Sequence, residues 1–252
     1  MVDQQWVEIL GVRVTAIDEA GLIEQVLCWV KREERRTLTY ANAHCLNMAA
    51  DDVPYRKLLK QTDLVYVDGI GAVWAGRMFG CRDLHKVTGR KWIEALCRRG
   101  EEEGLRLYLL GGKPGIAEQA SKALGQRYTR LQLCGSADGF FQTKTEAQVL
   151  AEINETQTQV LLVGMGVPAQ ERWVALNREK IQAEICWSAG ALFDYLAGVE
   201  KAVPSWLERM GLEWAWRLKE DPKGKWKRYA IGLPRFCARV MVSRFRHWIE
   251  RR

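Results

Sequence analysis

The chain has 252 residues, 48% of them apolar and 27% charged, with a formal net charge of +7 at pH 7; this balance excludes a disordered or fibrous polymer and allows one sizeable core with or without an appendage. The polar first eleven residues lack a basic stretch followed by an apolar run, and no window has the apolar length of a spanning helix, so a cytoplasmic protein is expected. Seven cysteines, an odd number with no CxxC pair, fit reduced and packed thiols and not a disulfide framework.

Residues 5–15 read as short β segments, and residues 19–31 as a helix carrying Leu22, Ile23, Val26, Leu27 and Val30 on one face behind Asp18 as N-cap. A strand at 37–41 runs through Asn42-Ala-His-Cys-Leu-Asn47 into a short helix, with a second helical stretch at 55–61. The strand 64–67 ends in Asp68, then Gly69 and Gly71, before a helical pattern to residue 79. Helix 88–103, strand 105–110, helix 116–128 and strand 131–135 follow, then the Asp138-Gly-Phe-Phe141 turn. Helix 145–154, strand 160–163, helix 170–179, strand 184–188 and a helix near Leu192 complete the series. This alternation predicts an α/β, Rossmann-like fold, a largely parallel sheet with helices on both faces.

After Pro204 no further strand is predicted, and a boundary falls near residue 200: an α/β core over 1–200 and a basic, Trp-rich helical appendage over 201–252. The appendage holds 14 Lys/Arg against 5 Asp/Glu, net +9, which leaves −2 of the total +7 to residues 1–200. It also holds Trp206, Trp214, Trp216, Trp226 and Trp248, five of the eleven tryptophans. Between Trp206 and Asp221, helical spacing puts Leu207, Met210, Trp214 and Leu218 on one face, and Lys223-Gly-Lys-Trp-Lys-Arg228 follows. Aromatic residues beside basic ones suit an anionic membrane surface, although a basic helix pair packed on the core gives the same pattern.

Three strand ends open into glycine turns. Asp68 before Gly69 and Gly71 is placed where ligands meet the carboxyl ends of parallel strands; as a plain helix N-cap it would carry no chemistry. Gly111-Gly112-Lys113-Pro114-Gly115 lacks the Lys-Ser/Thr ending of an ATPase loop, but the following helix N-terminus and Lys113 suit an anion. Gly164-Met-Gly166-Val-Pro-Ala169 matches G-x-G-x-x-A with Glu184 twenty residues beyond Gly164, which admits an NAD(P)-dependent dehydrogenase. Gln170 opens the next helix, where it would bond a sugar hydroxyl or phosphate, or simply face solvent. His44, His85 and His247 lack metal-ligand spacing, Asp51-Asp52 sits on a helical stretch, and no D-x-D follows a strand, so no metal and no cofactor is expected. A nucleic-acid module built on the basic tail is ranked last, because it leaves the three glycine turns without a role.

From Thr37 to Phe236 the chain resembles the WecG/TagA/CpsF family of bacterial glycosyltransferases. The carriers are Val67-Asp-Gly-Ile-Gly71, Val87-Thr-Gly89, Tyr108-Leu-Leu-Gly-Gly-Lys-Pro-Gly115, Val163-Gly-Met-Gly-Val-Pro-Ala-Gln-Glu-Arg-Trp173, Phe193-Asp-Tyr-Leu-Ala-Gly198 and Gly211-Leu-Glu-Trp214. The resemblance implies inverting, metal-independent transfer from a UDP-sugar to a polyprenyl-diphosphate-linked saccharide at the inner membrane face, by a peripheral enzyme that uses no nucleic acid. Homo-oligomerisation is left open. It implies Asp68 as general base, with Gln170 and Asn42 as further catalytic residues, and Gly111, Gly112 and Asp194 on the nucleotide side. Helix N-termini beyond Gly112 and near Gly164 and Gly166, together with Lys86, Lys113 and the tail cations Arg217, Lys227 and Arg228, would meet the phosphates or lipid. Two positions depart from the family's pattern. Tyr40 stands where the family often has Thr, and Lys86 where it often has Arg, which gives up bidentate phosphate geometry.

Overall fold

The computed structural model describes residues 5–250, and the side chains of Ser205, Arg209, His247, Trp248 and Glu250 lie outside the described residues. An antiparallel hairpin, β1 (Trp6–Ile9) and β2 (Val12–Thr15), opens the chain. Its two-residue turn has Leu10 and Gly11 at φ 50 and 81, the positive values that match the twist of the flanking strands. Then follow α1 (Glu19–Lys31), β3 (Arg36–Ala41), α2 (Ala43–Asp51), α3 (Val53–Gln61), β4 (Leu64–Val67), α4 (Ile70–Met78), α5 (Gly89–Glu103), β5 (Arg106–Gly111), α6 (Ile116–Arg127) and β6 (Gln132–Ala137). The core ends with α7 (Glu146–Glu155), β7 (Val160–Gly164), α8 (Ala169–Asn177), β8 (Ile185–Ser188) and α9 (Leu192–Leu196).

Six strands form one sheet in the order β4-β3-β8-β7-β5-β6, every pairing parallel. The α/β, Rossmann-like expectation holds. Strands β4, β7 and β8 are buried along their whole length, as a sheet covered on both faces requires. On one face α1, α5 and α6 pack around Trp187, which stacks on Trp92 with ring centroids 3.8 Å apart. On the other, the hairpin, α2, α3 and α4 enclose one apolar cluster, and α7 and α8 enclose another. Asp18 caps α1 by accepting from the Gly21 amide at 2.8 Å. All seven cysteines are free thiols.

The tail is helical: α10 (Ser205–Arg209), α11 (Glu213–Glu220), α12 (Pro222–Trp226), a π turn at Lys227–Ile231, and α13 (Gly232–Glu250). The predicted continuous face from Leu207 to Leu218 is broken, because Gly211 at φ +71 separates α10 from α11. Helix α13 buries Phe236 and Val240 in the same cluster as Val7, Leu46 and Val73. Arg235 and Arg239 pair with Asp51 on α2, and Asn47 donates to the Gly232 carbonyl at 2.7 Å. Asp51, read from sequence only as part of a helix, thus anchors the tail. Among the described residues no helix is long and apolar enough to cross a membrane.

Candidate active site

The Asp68 amide donates to the Ala41 carbonyl at 3.0 Å, extending the β3–β4 ladder by one step and aiming the residue off the carboxyl edge of the sheet. Gly69 takes φ 131, open to glycine alone, and stands as the N-cap of α4 without any side-chain cap. The N-cap reading of Asp68 therefore fails. Among the described residues its carboxylate has no hydrogen bond or ion pair, and it lines a cleft of about 260 Å³.

Tyr40, Asn42 and His44 form one wall of that cleft, Thr88, Gly89 and Arg90 a second, and Ala189, Ala191 and Leu192 a third. The tail closes the fourth side with Glu213, Trp214, Trp216, Arg217, Arg228 and Tyr229. Burial raises the Asp68 carboxyl above its ordinary value; Arg217 opposes the rise, Glu213 adds to it, and Arg228 and Lys86 pull down. Burial works against the charge of Arg217, but Asp68 and then Glu200 hold it on. Lys86 is tied to Glu213 at 2.7 Å and Arg90 to Glu208 at 2.6 Å, two half-buried pairs that fasten α10 and α11 over the core. Buried at the cleft, Thr88 Oγ1 and Trp216 Nε1 have no partner among the described residues. A bound oxygen ligand would satisfy both.

The other two glycine turns meet each other farther along the same edge. A Cβ on Gly111 would sit 2.4 Å from the Gly164 carbonyl, and the Gly112 amide donates to that carbonyl at 2.9 Å. A Cβ on Gly164 would come within 2.9 Å of the Gly190 oxygen, and one on Gly190 within 2.5 Å of the Tyr40 hydroxyl. Close contact thus runs from β5 through β7 to the turn after β8 and on to the Tyr40 side chain of β3, while Gly166 faces open space. Lys113 is exposed beside this row. Burial raises the Asp194 carboxyl and Glu200 adds to the rise, against Lys113 and Lys225. None of Gly111, Gly112, Lys113, Gly164, Gly166 or Asp194 lines the Asp68 cleft.

A family model described as the glycosyl transferase WecG/TagA/CpsF family matches residues 7–250. The chain belongs to that family. It is a glycosyltransferase, and the dehydrogenase reading drops out. Glu184, which that reading needed beyond a strand's carboxyl end, precedes β8 on the opposite edge of the sheet, where its carbonyl accepts from the Arg36 amide.

Several sequence expectations for the transferase take a different form in the structure. Gln170 is fully buried and faces neither solvent nor cleft: its Nε2 donates to Glu171 at 2.8 Å and its Oε1 accepts from the Gly190 amide at 3.0 Å. Asn42 lines the cleft but spends its Oδ1 capping α2 through the His44 and Cys45 amides. Lys227 is exposed, sits over the Trp226 ring and is absent from the cleft wall. Lys86 is occupied by Glu213. Arg217 and Arg228 do face the cleft. Sequence reasoning missed His44, Thr88, Arg90, Glu213 and Trp216 as wall residues. Two of these signals were present, since Thr88 lies in Val87-Thr-Gly89 and Glu213 in Gly211-Leu-Glu-Trp214. Among the described residues no group of three or more His, Cys, Asp or Glu is placed to hold a metal ion.

Proposed function

We propose that the transferase moves a sugar, with inversion and without a metal, from a UDP-sugar to a polyprenyl-diphosphate-linked saccharide in cell-surface polysaccharide synthesis. It does so as a peripheral protein on the inner face of the cell membrane. The observation that carries this reading is the uncommitted Asp68 carboxylate at a strand end, facing Arg217 and Arg228 across a cleft closed by the basic tail.

Asp68 takes the proton from the acceptor hydroxyl as its oxygen attacks the anomeric carbon, and the bond from that carbon to the diphosphate breaks with UDP leaving. A raised carboxyl is a stronger base than an ordinary one, which favours this step. The amides at the entry to α6 beside Gly112, with Lys113, take the leaving diphosphate, and Asp194 takes the ribose side. Arg217 and Arg228 hold the acceptor's diphosphate, as guanidinium forks suit. Exposed Trp206, Met210 and Trp214, beside the cleft or next to residues that line it, face the lipid.

The direct test is Asp68→Asn assayed with a panel of UDP-sugars and a short-chain lipid diphosphate acceptor. Transfer should fall by about 10²–10⁴-fold with the melting temperature unchanged. Near-wild-type transfer by the folded variant would remove Asp68 from the mechanism.

A further inference from the structure

Beneath the cleft lies a carboxyl group that the proposed transfer does not use. Glu171, on the first turn of α8, is 5% exposed, and among the described residues it has no ion pair. Its Oε1 accepts from the Thr39 hydroxyl of β3 at 2.9 Å and from Gln170 Nε2 at 2.8 Å, while Oε2 is buried with no partner. Gln170 in turn grips the Gly190 amide, and Gly190 joins Ala189 to Ala191 in the cleft wall, where a Cβ added to it would collide with the Tyr40 hydroxyl. A hydrogen-bonded chain therefore runs from β3 through Glu171 and Gln170 to the turn after β8.

We propose that Glu171 is a positioning residue of the transferase: it clamps Thr39 and Gln170 together and, through Gln170, holds the Gly190 turn that shapes the cleft beside Asp68. This rests on the cleft being the transfer site. The clamp needs only an acceptor oxygen, which an uncharged side chain also supplies. The titratable groups facing Glu171 are Tyr40 on β3, Cys45 on α2 and Tyr55 on α3, none of them cationic, and burial raises the carboxyl above its ordinary value. An isolated carboxylate in such a place would be costly, whereas a protonated one keeps both accepted hydrogen bonds on Oε1 at the smaller cost of one buried hydroxyl, Oε2, without an acceptor. Glutamine has the same shape and the same acceptor, so Glu171→Gln should preserve the clamp. Methionine fills the volume without an acceptor, so Glu171→Met should open it.

The experiment compares both variants as full-length protein, by steady-state transfer kinetics and by hydrogen exchange at the Gly190 amide. Glu171→Gln should stay within about threefold of wild type in kcat and keep Gly190 protected. Glu171→Met should lose at least about tenfold in kcat with KM for the donor changed less than twofold, and Gly190 should exchange faster. Thr39→Val, which removes one donor at constant volume, should move kcat the same way if Glu171→Met proves too unstable to purify. Equal activity of the Gln and Met variants would reduce Glu171 to a space-filler. Equal inactivity would mean that an ionised carboxylate is needed, and either result overturns the proposal. The exchange arm is independent of catalysis: if no UDP-sugar is turned over, the functional reading fails, while faster Gly190 exchange in Glu171→Met alone still supports the clamp.

Discussion

At the residue scale, Asp68 is poised between opposing charges supplied from the tail. Arg217 stabilises its ionised form and Glu213 destabilises it. Because burial sets the carboxyl above its ordinary value, the proposed base should lose its charge at a pH where an exposed aspartate would still be ionised, and the acidic limb of kcat/KM should report this. The two neighbours then move that limb in opposite directions. Arg217→Gln removes the stabilising cation and should shift it to higher pH. Glu213→Gln removes a like charge and frees Lys86, so it should shift the limb to lower pH, each change being several tenths to about one pH unit. Parallel shifts, or none, in a pH–rate series would show that these charges do not act on the base. The strand end at Asp68 was legible in the sequence as an apolar run closing in an acid and two glycines, a pattern that a helix N-cap shares and that the structure separates from it by making Gly69 the cap. Arg217 was named from the sequence as a tail cation, but neither it nor Glu213 was legible as a neighbour of Asp68, since only the fold brings α11 to the end of β4. Gln170 shows the converse: its motif is plain in the chain, yet its burial and its bond to the Gly190 amide follow from a turn that no local spacing predicts.

At the element scale, period-two and helical patterns set the order of strands and helices correctly through residue 196, with boundaries off by a residue or two. The tail was harder, for a physical reason. Spacing identifies an apolar face but not what covers it, and Gly211 fits both an unbroken helix and the turn that splits α10 from α11. Helix α13 has two apolar aspects: Phe236 and Val240 are fully buried against the hairpin and α2, while Met241, Val242 and Ile249 are more than half exposed. Nothing in the sequence alone ranks these. The structure makes α13 part of the core's closure, so its contribution to stability should be large on one side and negligible on the other. Phe236→Ala should cost about 3–5 kcal/mol in urea unfolding. Met241→Ser should stay within about 0.5 kcal/mol. Equal costs would contradict the packing.

At the scale of the whole molecule, ion pairs between tail and core leave the tail's surplus charge in place. Arg235 and Arg239 pair with Asp51 and Lys225 with Glu200, while Glu213 and Glu208 of the tail are taken by Lys86 and Arg90 of the core, so the two acids met on each side cancel and the count of +9 stands. What the fold leaves outward is mixed: exposed Lys223, Lys227 and Arg246 beside the exposed Trp226, Met241 and Ile249. A nucleic acid would use the cations and little of the aliphatic surface, whereas an anionic bilayer uses both. Electrostatic attraction brings about 1 kcal/mol per basic residue near such a surface, and burying a large apolar side chain brings about 1.5–3 kcal/mol. The apolar term should therefore survive salt that screens the charges. Full-length protein should bind anionic vesicles with an affinity that weakens on raising salt but does not vanish. Met241→Ser/Ile249→Ser should lower the partition coefficient more than tenfold at every salt concentration, with the fold intact by circular dichroism. Loss of binding by salt alone, with the double variant indistinguishable from wild type in sedimentation, would mean that the tail holds its partner by charge only and that the aliphatic face of α13 serves something other than lipid.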